Sequence, residues 1–135
     1  MAAAVAIVLG ALALLHVFWG VGGVTARSVA IPEVSGKPAF EASGPATFAV
    51  AAALALAGLL ILARGGLLSS PLPPFFIDAG AFLVAAAFLL RAIGDFRLVG
   101  FFKRVRDTPF AAWDTRLFTP LSLGIGLGSL WVALS

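Results

Sequence analysis

Four stretches of this chain are each about as long as one bilayer crossing and nearly free of charge. A hydrocarbon layer about 30 Å thick is spanned by about 20 helical residues. The first stretch, residues 1–24, holds no Asp, Glu, Lys or Arg. The second covers about 45–63 and the third about 74–94, with Asp78 near its start and Arg91 near its end. The fourth covers about 115–134. Lipid offers no partner for a bare N–H or C=O, so such stretches close their hydrogen bonds internally, as helices. The chain is 61% hydrophobic and 11% charged over 135 residues. A soluble domain runs near 45–50% and 25%, so this one has too few charges to cover itself in water. The sequence therefore predicts an all-α fold: an integral membrane four-helix bundle in one transmembrane domain, residues 1–135.

Residue counts exclude several chemistries. The chain has no Cys, no Tyr and one His, so disulfides, thiol catalysis and Cys-ligated clusters are absent and one chain cannot assemble a multi-histidine metal site. The net charge is +3, but the basic residues flank apolar spans, and without a soluble basic domain nucleic-acid binding finds no support. No phosphate-cradling loop or nucleophile elbow occurs. Gly124-Ile125-Gly126-Leu127-Gly128 resembles half a dinucleotide fingerprint but lies inside an apolar span, where glycine serves packing.

Punctuation supports the spans. Gly44-Pro45 and Pro73-Pro74 put proline in a first helical turn, where its missing N–H costs nothing. Gly65-Gly66 reads as a helix stop, and Ser69 to Pro74 as a short extended link. At the fourth span two starts stand: Asp114 as cap with Pro120 inside the helix, or Thr119 as cap with Pro120 first. The first span lacks the basic leader of a signal peptide and exceeds the usual apolar core of one, so it is expected to be a retained span.

Four spans place the 25–44 and 95–114 connections on one side, with Arg27, Lys37, Arg91, Arg97, Lys103, Arg104, Arg106 and Arg116. The opposite side holds Arg64. Cations mark the cytoplasmic face, so the expectation is a bacterial inner membrane with both termini outside. In the third connection, Leu98, Phe101, Phe102 and Val105 fall at i, i+3, i+4 and i+7, which predicts a short interfacial helix between spans 3 and 4. Its cations would meet anionic lipid head groups; a solvated basic loop is the alternative. Gly20, Gly23, the alanines of the second span and Gly124 with Gly128 mark close helix approach, inside the bundle or as a homodimer face through Gly124 and Gly128.

Ionisable groups in a membrane are costly and point to function. His16 lies well inside the first span, with Trp19, Gly20 and Gly23 on its face. It could relay protons, bind a ligand, hold one axial position of a haem, or simply bond another helix. Arg91 and Asp95 stand at i, i+4 and can pair, with Arg97 two residues on. His16, Trp19, Arg91, Asp95, Arg97, Lys103 and Asp114 are the candidate ligand-binding residues. Arg64 and Asp78, near facing ends of adjacent helices, read as a structural ion pair.

Three segments carry a family resemblance: His16-Val17-Phe18-Trp19-Gly20 with Gly22-Gly23; Arg91-Ala92-Ile93-Gly94-Asp95-Phe96-Arg97 with Val99-Gly100-Phe101-Phe102-Lys103; and Phe110-Ala111-Ala112-Trp113-Asp114 with Thr119-Pro120-Leu121. Over nearly its whole length the chain resembles the small bacterial membrane proteins grouped as domain of unknown function 3995. The resemblance implies a four-helix membrane protein and supplies no catalytic residue or cofactor. The leading expectation is a pocket on the cytoplasmic side for a small molecule or lipid head group. Its rivals are a dimeric proton-coupled transporter, a lipid or isoprenoid enzyme using His16 and Asp95 as acid and base, and an accessory subunit of a larger complex.

Overall fold

The computed structural model describes residues 1–25 and 27–135. Four helices are long and apolar enough to cross a membrane. The chain is a multi-pass membrane protein with an all-α four-helix arrangement. Helix α1 (Ala2–Gly20) leads to a short α2 (Arg27–Ala30) and a small hairpin of β1 (Glu33–Val34) and β2 (Lys37–Pro38). Then come α3 (Gly44–Arg64), α4 (Pro74–Ile93) and α5 (Pro109–Trp113), which runs through a π-helical turn (Asp114–Phe118) into α6 (Thr119–Leu134). The hairpin is antiparallel, pairing Glu33 with Pro38 and Val34 with Lys37.

Local signals explain the helix ends. The Ser43 Oγ accepts the Ala46 N–H at 3.3 Å, and Pro45 follows in the first turn. Helix α4 opens on Pro74. The fourth crossing starts at Pro109, six residues before the 115 expected from hydropathy, and spans 26 residues. There the Thr108 Oγ1 accepts the Ala111 N–H at 3.1 Å, and Pro109 supplies the preset φ of a first helical residue. Neither Asp114 nor Thr119 is the cap, because both lie inside the continuous run of helix. Pro120 brings no N–H to that run, and the π turn lies just before it, with the Thr119 N–H bonded to the Asp114 carbonyl.

A larger departure lies between α4 and α5. The apolar face of Leu98, Phe101, Phe102 and Val105 does not form a helix; residues 94–108 are turns and bends. Gly94 (φ +91°) and Gly100 (φ +87°) hold left-handed backbone, where a β-carbon on Gly94 would run into the Val99 carbonyl and one on Gly100 into the Ile93 carbonyl. Asp95 fastens the turn. Its Oδ1 accepts the N–H groups of Arg97, Leu98 and Val99 at 2.9, 2.7 and 3.0 Å. Those amides are then no longer free for a helix, which overrides the periodicity.

Helix α1 packs chiefly on α3 and α4 chiefly on α6, giving two antiparallel pairs joined through α3–α4 and α1–α6. The core gathers Val5, Leu9, Ile61, Ala81, Val84, Ile125 and Val132. Glycines permit the close approach. A β-carbon on Gly126 would lie 2.8 Å from Leu89 Cγ, and one on Gly128 would lie 2.7 Å from Val5 Cγ2. Gly128 is thus spent inside the bundle, whereas Gly124 is exposed with open space around it. At the end holding both chain termini, Arg64 Nε meets Asp78 Oδ1 at 2.9 Å, and Arg64 Nη2 donates to the Ala133 carbonyl at 2.9 Å. The expected ion pair therefore also ties α3 to α6.

Gly126→Ala is expected to cost about 1–3 kcal/mol through overpacking. Gly124→Ala is expected to be neutral or to stabilise by up to about 1 kcal/mol through helix propensity. Thermal unfolding of both variants in detergent, followed by circular dichroism, checks the contrast.

Candidate functional site

The loop-bearing end of the bundle is organised by Asp114, whose side chain has 0% exposure. A carboxylate so placed must be paired and fully bonded, because an isolated charge in an apolar medium is prohibitive. Arg91 Nη2, at the end of α4, donates to its Oδ1 at 2.7 Å. Oδ2 accepts from Lys103 Nζ at 3.0 Å, the Gly100 N–H at 2.9 Å and Thr119 Oγ1 at 2.9 Å. The Lys103 Nζ also donates to the Gly100 carbonyl at 3.1 Å. Helix α4, the 94–108 turn and the fourth crossing all converge on this one group.

The arrangement revises two expected pairings. Arg91 bonds Asp114, not Asp95, since Asp95 turns into its own loop to accept three amides. Lys103 does not reach lipid head groups; it is 2% exposed and folds inward onto Asp114. Arg97, Arg104, Arg106 and Arg116 are exposed. Partial burial pushes the Asp95 carboxyl up, but the amides of Arg97, Leu98 and Val99 outweigh that and hold it below its ordinary value.

Above the cluster lies a cavity of about 330 Å³ walled by all four crossings. Its polar wall is His16, Trp19, Arg91 and Ser122; Leu54 and Phe88 typify the rest. A second cavity, about 220 Å³, adjoins it through His16, Trp19, Ala30 and Val50 and extends to Arg27 and Glu41. His16 and Trp19 thus divide the two, their rings edge to face at 5.1 Å. Trp19 Nε1 donates to the Thr25 carbonyl at 2.9 Å, which holds the indole in place.

His16 bonds its own helix and not a neighbouring one: Nδ1 lies 2.8 Å from the Leu12 carbonyl. A carbonyl can only accept, so Nδ1 carries the hydrogen of this bond, and Nε2 takes no part in it. The Ser122 hydroxyl is occupied, donating to the Phe118 carbonyl at 2.8 Å. Arg91 has spare capacity: Nη1 is buried with no hydrogen-bond partner among the described residues.

Of the seven residues singled out from sequence, the structure brings His16, Trp19 and Arg91 to one cavity and stands Lys103 and Asp114 behind Arg91. Asp95 and Arg97 are exposed and line neither cavity. The acid–base pairing of His16 with Asp95 therefore has no shared space. Sequence reasoning passed over Thr119 and Gly100, which complete the shell around Asp114, and Phe88, Phe110 and Phe118, which wall the cavity. Thr108-Pro109, a capping residue followed by a helix-starting proline, was the available signal that the fourth helix begins early and carries Asp114 inside it.

Residues 9–129 match the family described as Protein of unknown function (DUF3995). The match covers most of the chain, and the protein belongs to that family. No curated protein and no solved structure gives a significant match to the chain.

Asp114→Ala leaves two cations facing each other and is expected to cost about 3–5 kcal/mol. Lys103→Met leaves the Arg91–Asp114 pair neutral and is expected to cost distinctly less; denaturant unfolding in mild detergent compares the two. A lowered carboxyl stabilises the fold above the ordinary value of 3.8, and the contribution disappears as pH falls through the lower native value. The amide NMR shifts of Arg97, Leu98 and Val99 are accordingly expected to titrate together, with a midpoint below 3.8.

Proposed function

We propose that the protein binds a small amphipathic molecule in the cavity between the four crossings, at the cytoplasmic side of a bacterial inner membrane. The observation that carries this reading is one apolar chamber whose wall includes Arg91 together with His16 and Trp19. At about 330 Å³ the chamber falls at the lower end of the roughly 300–1,000 Å³ of small-molecule sites, and like them it is mostly apolar with a few polar groups. The orientation rests on charge. Arg27, Lys37, Arg91, Arg97, Lys103, Arg104, Arg106 and Arg116 lie at the end with the longer connections, and Arg64 at the other. That bias supports a cavity toward the cytoplasm with both termini outside. The exposed arginines of the 94–116 region, beside exposed Phe96, Phe101, Phe102 and Trp113, suit contact with anionic head groups at that face.

Two experiments test the reading. Filling the chamber with Leu54→Trp is expected to leave folding intact and to remove small molecules that co-purify with the unaltered protein, as read by mass spectrometry of extracts. An unchanged extract from the folded variant overturns the cavity assignment. The chain has no Cys, so single cysteines report topology cleanly. Ser69→Cys is expected to react with a membrane-impermeant maleimide in intact cells, and Ser28→Cys only after permeabilisation.

A further inference from the structure

We infer that the occupant of the cavity is a single-chain amphipath with an anionic head, a carboxylate or a phosphate, whose charge is received by Arg91. The inference deepens the reading above and rests on it. Its basis is a charge imbalance that the fold builds in. Two cations, Arg91 and Lys103, share one carboxylate, that of Asp114. A carboxylate offers about four lone-pair sites, and Asp114 already accepts four hydrogen bonds, from Arg91, Lys103, Gly100 and Thr119. It has nothing left for a second arm of Arg91.

Lys103 is 2% exposed and spends its ammonium on Asp114 and the Gly100 carbonyl. The excess positive charge therefore falls to Arg91, whose side chain is 32% exposed and which alone of the three lines the cavity. Its Nη1 is buried without a hydrogen-bond partner among the described residues. A guanidinium carries more donors than the one Asp114 takes, so the part of Arg91 that borders the chamber can receive an acid oxygen. Among the described residues lining this chamber no carboxylate is present to take that place.

The rest of the wall states what is attached to the acid. Leu12, Leu54, Phe88, Leu121 and Ile125 offer hydrocarbon and no free hydrogen-bonding group. A chamber of about 330 Å³ suits one chain in preference to the two tails of a membrane phospholipid. A soluble anion with no tail would leave these residues facing water or an empty space, and a neutral amphipath would leave the excess of two cations over the one carboxylate of Asp114 unbalanced.

The test uses the full chain in nanodiscs of zwitterionic lipid, with Trp113→Phe and Trp131→Phe so that Trp19 alone reports. A brominated dodecanoate is the quenching probe, and dodecanoate, dodecyl phosphate and dodecanol compete with it. At least one anion is expected to bind tenfold or more tighter than the alcohol, and the stronger of the two separates a fatty-acid source from a lipid phosphate. Arg91→Met removes the excess cation and leaves the Lys103–Asp114 pair neutral; it is expected to stay folded by circular dichroism and to lose the preference for the anion. Equal binding of alcohol and acids, or a folded Arg91→Met variant that keeps the full preference, overturns the anion inference while leaving the cavity reading in place. Absence of quenching by every probe overturns both.

Discussion

The carboxylate of Asp114, fully removed from solvent, takes its four hydrogen bonds from three separate parts of the chain. An ion in that position is tolerated only when its surroundings are complete. The requirement reaches outward. Gly100 must present its N–H, which demands a left-handed turn that a side chain would obstruct. Lys103 must fold back over that turn, and Asp95 must hold the turn shut by drawing in three successive amides. The loop between the third and fourth crossings is thus shaped by the neutralisation of one charge, and its helical periodicity yields to that.

The two ends of the bundle are built differently, and this places the cavity. Toward the termini, Ala2, Gly65 and Gly128 let backbones come together, with Val5 and Met1 against α6 and the Arg64–Asp78 pair closing the end. Toward the loops the facing residues are large: His16, Trp19, Phe88, Phe110 and Phe118. Rigid rings of this size stand off from one another and leave space that smaller side chains would have closed. The space then borders the ion cluster, so one chamber meets hydrocarbon on most sides and a cation on one. That juxtaposition gives a membrane helix bundle a polarity suited to an amphipathic guest.

Much of the architecture was legible in the sequence. The bounds of α3 and α4 agree with the apolar runs to within a residue or so, because proline at the start and glycine at the stop act locally. The fourth crossing did not, because Asp114 and Arg116 break the hydropathy signal while the backbone continues as helix from Pro109. Within the site, Arg91 and Asp114 were recognisable as costly groups near a membrane. Their pairing with each other across 23 residues of sequence was hidden behind the nearer i, i+4 option at Asp95. Helical spacing shows which pairs can meet; competition for three backbone amides decided which did.

What the sequence alone determined was the solvent and the count: four apolar runs, each one crossing long, in a chain with too little charge for water. It also determined where cations concentrate, since lysine and arginine are costly in hydrocarbon and gather toward the ends of the crossings. Tertiary structure decided which cation faces which carboxylate, which glycines are used inside the bundle, and that His16, Trp19 and Arg91 share a chamber. Those outcomes depend on distances between residues far apart in the chain, and they are set by the need to satisfy a buried charge and by the size of rings that meet only once the helices have packed.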